Sequence, residues 1–255
     1  MKGIRRCFTD MPRFATAWNK GKSYIFFALL FTFFSFLMFS CGLPSSEYLY
    51  PPSDFLNNQG IISLYHNNSN IDYSDIAEIF KGYEIYYRIY GSNVDAINAI
   101  TSLNSLNANA SPDSFILNAT NAYGFFPLLQ RKIAPAGGYL ISHNPLIPVS
   151  NNAHQSYNLF MSNNSAWSIY LDGNTSDILI DSVIRNMGNS PLTPDQRDFC
   201  YHANYHSNDQ DYSGTDSPTK VYIVFFAVAY GDSIGRSIYS EPVIITEPVE
   251  YDPGS

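Results

Sequence analysis

Residues 82–90 alternate strictly between two faces, and nothing else in the chain restricts its fold as much. The run GYEIYYRIY puts Tyr83, Ile85, Tyr87 and Ile89 on one side and Glu84, Tyr86, Arg88 and Tyr90 on the other. A period of two, filled with aromatic and β-branched residues, is the pattern of a strand with a buried face. Residues 221–230, VYIVFFAVAY, make a second strand of the same kind. Shorter strand candidates fall at 61–65, 115–118, 123–129, 138–142, 157–161, 167–171 and 242–246. The segment 178–185 is apolar and fits either a strand or a helix. Residues 93–106 change period: Val94, Ile97, Ile100 (or Thr101) and Leu103 or Leu106 recur at three and four, as in an amphipathic helix. Thr193, Pro194 and Gln196 carry a helix-start signal, yet Phe199, Tyr201, Ala203 and Tyr205 alternate with Cys200, His202, Asn204 and His206. The alternation favours a strand there. The expected class is mainly β.

The N-terminus reads differently. Lys2, Arg5, Arg6, Arg13, Lys20 and Lys22 face a single acid, Asp10, over the first 22 residues. An uncharged apolar run over 24–39 follows, then Ser40, Cys41 and Gly42. A basic stretch, an apolar run and a small residue form the pattern of a secretory signal, which is set aside before fold reasoning. The Ser40-Cys41 junction, with Met38 and Phe39 before it, resembles the lipobox of bacterial lipoproteins. That resemblance implies cleavage before Cys41 and acyl chains on Cys41, with no cofactor beyond that covalent lipid. It also implies an extracytoplasmic protein anchored to a bacterial membrane, at the outer membrane or cell surface. The competing reading is an uncleaved anchor. Sixteen residues of helix reach only about 24 Å against a hydrocarbon core of roughly 30 Å, so such a span must extend to Leu43.

Removing 40 of the 255 residues leaves 215, with eight Lys and Arg against 21 Asp and Glu, a formal charge of −13. A body this acidic is repelled by phosphate backbones and anionic headgroups, which argues against nucleic acid as a partner and leaves the lipid as the membrane contact. Of the three cysteines, Cys7 lies in the signal and Cys41 is the lipid site, so Cys200 has no partner for an internal disulfide.

Three segments together resemble the fibronectin type III family. Residues 82–90, with Tyr83 and Tyr87, are similar to its third strand. Residues 218–229, with a Pro four residues before Tyr222, are similar to its sixth. Ser240, Pro242, Val243 and Thr246 match the end of its last strand. The resemblance implies an antiparallel β-sandwich whose inward residues on the sixth strand are Tyr222, Val224, Phe226 and Val228. The expected organisation is a signal over 1–40, a lipidated tether over 41–58, the sandwich over 59–248 and a tail over 249–255. A long insertion at about 92–215 interrupts the sandwich. An insertion of that length is expected to hold its own structure, here a short helix and extra strands.

Catalytic signatures are sparse. A strand over 199–206 would put Cys200, His202 and His206 on one face, a candidate metal site beside Asp198, Asp209 and Asp211. A polar strand face next to an acidic loop explains the same residues without an ion. Ser142-His143 lacks an evident acid partner, and Asp172, Asn174, Asp177 and Asp181 lack calcium-loop spacing. Nucleophile-elbow, phosphate-loop and zinc-protease motifs are missing. The sequence therefore points to a non-catalytic binding or scaffolding module of the cell envelope, whose partner is an envelope or host protein or a glycan. The alternative is an envelope hydrolase or metal-dependent enzyme with its site in the insertion.

Overall fold

The computed structural model describes residues 48–58, 60–133, 139–142, 145–149, 156–171, 177–187 and 197–254. All belong to one unit of the chain. The signal, Cys41 and the start of the tether lie outside the described residues.

Fifteen strands are described. They are β1 (Asp54–Asn58), β2 (Ile61–Tyr65), β3 (Phe80–Tyr90), β4 (Phe126–Pro127), β5 (Leu129–Ile133), β6 (Tyr139–Ser142), β7 (Ile147–Pro148), β8 (Ser156–Phe160), β9 (Trp167–Leu171), β10 (Ile178–Ile184), β11 (Tyr212–Ser213), β12 (Val221–Ser233), β13 (Arg236–Tyr239), β14 (Val243–Ile244) and β15 (Val249–Tyr251). Four helices join them: α1 (Ser69–Asp72), α2 (Ser74–Ile79), α3 (Asn93–Asn107) and α4 (Pro112–Asn121).

The strands form two sheets in a sandwich-like arrangement. One has the order β1-β2-β8-β9-β10-β5-β6. The other is built on β3 and β12, the two strongly alternating segments, which pair antiparallel from Tyr222↔Tyr90 to Gly231↔Phe80. Short strands complete its flanks. β13, β14 and β15 line the free edge of β12, while β11, β4 and β7 line that of β3, with β11 running parallel to β3.

Both faces of the β3–β12 pair are buried. One face holds Tyr83, Ile85 and Tyr87 opposite Ala229, Ala227 and Phe225, and looks toward the first sheet. Tyr83 lies 6.2 Å from Tyr157 of β8, and Phe225 lies 6.4 Å from Trp167 of β9, between ring centroids. The other face holds Glu84, Tyr86 and Arg88 opposite Val228, Phe226 and Val224. There Phe226 stacks on Tyr86 at 4.8 Å and meets Phe115 of α4 edge-on at 5.1 Å. A sheet covered on both sides buries the whole alternating pattern rather than half of it. Tyr222, expected in the core, is only half-buried, while Ile223 and Phe225 on the opposite parity are fully buried.

Several expectations change. Residues 115–118 belong to helix α4, not to a strand. Ser111 and Pro112 supply its start, and Phe115, Ile116 and Ala119 share its buried face. A three-residue apolar run, Phe115 to Leu117, does not distinguish the two periods by itself. Helix α3 forms where expected but turns its face: Ala96, Ile100 and Leu103 are buried, whereas Val94 and Ile97 are exposed. Residues 199–206 are turns and a 3-10 segment, His202–Asn204, not a strand. The segment 178–185 resolves as strand β10. The tether contributes β1, and the expected tail contributes β15, which pairs with Val221–Ile223. The region 92–215 does hold helices and strands, and they are woven into both sheets: it supplies β5, β6, β8, β9 and β10 of one, and β4, β7 and β11 of the other.

Gly82 shows how tightly the second sheet is built. Its φ is +147°, and a Cβ placed there would meet the Ile147 carbonyl oxygen at 2.0 Å. Only glycine lets β7 approach β3 at this point.

If the helical layer is held by apolar packing on β12, Phe226→Ala lowers unfolding free energy by about 3–5 kcal/mol. Leu117→Ala, on the exposed side of α4, changes it by less than about 0.5 kcal/mol. Urea unfolding followed by tyrosine fluorescence measures both.

Candidate functional site

The most concentrated polar chemistry lies at the end of β10, where Arg185 has no exposed surface. Its Nε and Nη2 donate to the two carboxylate oxygens of Asp211, at 2.9 and 2.7 Å. Nη2 also donates to Asp209 at 3.0 Å, and Nη1 donates to the Asn204 carbonyl at 2.5 Å. The guanidinium carbon sits 4.5 Å from the Tyr205 ring centroid. Tyr87 on β3 donates its hydroxyl to Asp211 at 2.6 Å and accepts the backbone N–H of Asn186, also at 2.6 Å. Burial alone would make the Arg185 cation easier to deprotonate. The charge and hydrogen bonds of Asp211 outweigh it and hold the pKa above its ordinary value. Burial first, then the Asp211 charge, pushes the Tyr87 hydroxyl well above the ordinary tyrosine range. The fork-to-fork geometry suits arginine alone.

This network explains why 199–206 is not a strand. Arg185 takes the Asn204 carbonyl, Asn204 donates to the Asp198 carbonyl at 3.0 Å, and Tyr205 donates to the Phe199 carbonyl at 2.8 Å. These bonds curl the segment, and Phe199 stacks on Trp167 at 3.8 Å. The candidate metal residues are not aligned on one face. Cys200 is buried, with its thiol pKa raised by burial. His206 is exposed, and its backbone N–H is bonded to Asp209. His202 lies in the 3-10 turn, with its side chain outside the described residues. Asp198 pairs with Arg131 at 2.8 Å. Among the described residues, no group of three or more His, Cys, Asp and Glu is placed to hold a metal ion. Asp172, Asn174 and His143 lie outside the described residues. Of the fold-signature residues, Tyr83 and Tyr87 are fully buried, and Pro242 is buried just before β14.

Two further buried groups escaped the sequence reading. His66 accepts or donates at Nδ1 with the Tyr83 hydroxyl, 2.7 Å away, and its Nε2 has no partner. Burial lowers its pKa. Glu84, only 1% exposed, takes one hydrogen bond, from the Tyr86 hydroxyl to Oε2 at 2.6 Å. Its Oε1 has no partner. Burial pushes its carboxyl up to about 7.

A cleft of about 430 Å³ opens between the two sheets at one end. Gly60, Ile61, Phe160 and Met161 line it from the first sheet, and Glu250, Tyr251 and Asp252 from the last strand of the second. Its volume lies in the range that receives small ligands or a side chain. Glu250 is half-exposed there and pairs with Lys220 at 2.5 Å.

Fold and site together define a mainly β protein of two sheets with a helical cover on one of them. Comparison with protein-family models, with curated proteins and with solved structures finds no match for this chain.

Tyr87→Phe removes one donor from Asp211 and one acceptor from the Asn186 N–H, both buried. It is expected to lower stability by about 2–3 kcal/mol, measured by urea unfolding.

Proposed function

We propose that this chain is a membrane-anchored, extracytoplasmic lipoprotein whose body is a non-catalytic binding or scaffolding module of a bacterial envelope. The observation that carries the reading is the junction at Cys41: a basic stretch, an uncharged apolar run, Ser40, and then a cysteine followed by Gly42. One acyl chain holds a protein to a membrane only marginally, so the reading calls for more than one on Cys41.

The body reads as a fibronectin type III-like sandwich. In sandwiches of this class the third, sixth and seventh strands share a sheet. Here β3 pairs with β12, and β12 also pairs with β14, which holds Val243 of the matched last-strand ending. Such a scaffold has no intrinsic activity, and function lies in its loops and clefts. The cleft at Phe160 and Tyr251 is where we place the contact. The carboxylates of Glu250 and Asp252, beside Phe160 and Tyr251, disfavour an anion and suit a protein or glycan segment that donates hydrogen bonds.

The test is metabolic. In a bacterial host supplied with labelled palmitate, the wild-type chain takes up label and Cys41→Ser takes up none. A wild-type chain that remains unlabelled overturns the lipid anchor and leaves the segment 24–43 as an uncleaved span.

A further inference from the structure

Among the described residues Glu84 is the one buried acid on the β3–β12 face beneath the helices, Asp232 of β12 being exposed, and no cation is bonded to it. On its own strand, Tyr86 gives it its single hydrogen bond. Arg88, four residues on, turns away: its Nη1 donates to the Tyr123 carbonyl, and its guanidinium lies over Tyr90. Lys81 is exposed and donates to the Glu78 carbonyl. On β12 the residue opposite is Val228. On β13, Tyr239 is the titratable neighbour, and Glu84 helps raise its pKa after burial. Arg236 of β13 points outward to Asp113 of α4 at 2.6 Å, with both side chains well exposed. Among their own residues, α3 carries only Asp95 and α4 only Asp113 as charges. The strands β4 and β7 bring none. The helical cover thus presents two acids and no base to a face that holds a buried carboxyl.

We propose that Glu84 is a proton-controlled latch for the helical layer: protonated, it lets α3 and α4 close on the sheet, and ionised, it loosens them. A buried carboxylate with one hydrogen bond is relieved by a cation, by a proton or by water. The cation is missing, so the proton serves at lower pH and hydration at higher pH. Water must enter from the helical side. That cover is held by apolar contacts such as Phe115 on Phe226 and by the exposed Asp113–Arg236 pair. The opposite face is tied down by Arg185, Asp211 and Tyr87.

The direction follows from the shift. The carboxyl rises from 4.5 when unfolded to about 7 when folded. Between those values the folded chain binds more protons, so its stability falls as pH rises from about 4.5 to about 7 and levels off above. His66 works the other way: with a lowered pKa it favours the fold above its ordinary value near 6.5 and loses that contribution as pH falls. It sits against Tyr83 on the face toward the first sheet, so the two effects separate in space.

Hydrogen exchange read by peptide mass spectrometry, corrected for the intrinsic rate, tests the latch on the full chain. From pH 5.5 to 8, wild-type peptides covering 93–121 lose about tenfold or more of their protection relative to peptides covering 157–171. In Glu84→Gln, where Tyr86 keeps its acceptor, the ratio stays constant. Equal loss over both regions, or the same loss in Glu84→Gln, overturns the proposal. Should the variant not fold, carbon-13 NMR of the wild-type glutamate carboxyls decides. A buried carboxyl titrating near 7 supports the latch, and titration of every glutamate below 5 overturns it. The test is independent of the lipid on Cys41.

Discussion

One buried cation organises much of this molecule. Arg185 emerges from the end of β10 in one sheet and is bonded by both oxygens of Asp211, which in turn accepts the hydroxyl of Tyr87 in the other sheet. Asp211 immediately precedes β11, and its carbonyl accepts the N–H of Ile89. A single guanidinium thereby fixes the end of β10, the curled segment 198–211, the β11 edge and the centre of β3. Burying such a charge is unfavourable unless its donors are matched, and here the carboxylates of Asp211 and Asp209, the Asn204 carbonyl and the Tyr205 ring match them. The value of the arrangement lies in register: apolar side chains alone tolerate small slips between packed sheets, whereas a bidentate pair does not.

The second sheet is treated differently on its two sides. Toward the first sheet, aromatic contacts and the Arg185 network hold it. Toward the helices, apolar contacts and the exposed Asp113–Arg236 pair hold the cover, and the buried carboxyl of Glu84 is incompletely bonded. A buried carboxyl with one hydrogen bond draws in a proton or water, whereas the ion-paired Arg185 network does not. This asymmetry gives the helical layer its distinct response to pH, and it arises because β3 carries Glu84 and Tyr87 on opposite parities of one strand.

The two long strands were legible because aromatic and β-branched residues alternate over ten residues or so, a pattern that no helix accommodates. What lay beyond the sequence was which face would be inward, because both faces are covered and alternation then stops distinguishing them. The sixth-strand resemblance puts Tyr222, Val224, Phe226 and Val228 inward, and the structure buries the last three together with Ile223 and Phe225 of the opposite parity. Helix α4 was hidden by its short apolar run, although Ser111 and Pro112 marked its start. The segment 199–206 misled for a sharper reason: its alternation of Phe199, Tyr201, Ala203 and Tyr205 is real, but Arg185, 14 residues or more away in sequence, bends it into turns. Long-range polar pairing of this kind leaves no local trace. The same holds for Glu84, which reads as an ordinary outward-facing acid until a helical layer is laid over it.

Arg185 and Asp211 act as one unit, and a double-mutant cycle measures that directly. Unfolding free energies of wild type, Arg185→Met, Asp211→Asn and the double variant give the coupling between the two positions. A coupling of about 2 kcal/mol or more is predicted, with each single variant strongly destabilised and the double variant less so than their sum. A coupling below about 0.5 kcal/mol would contradict the claim that this buried pair holds the two sheets in register.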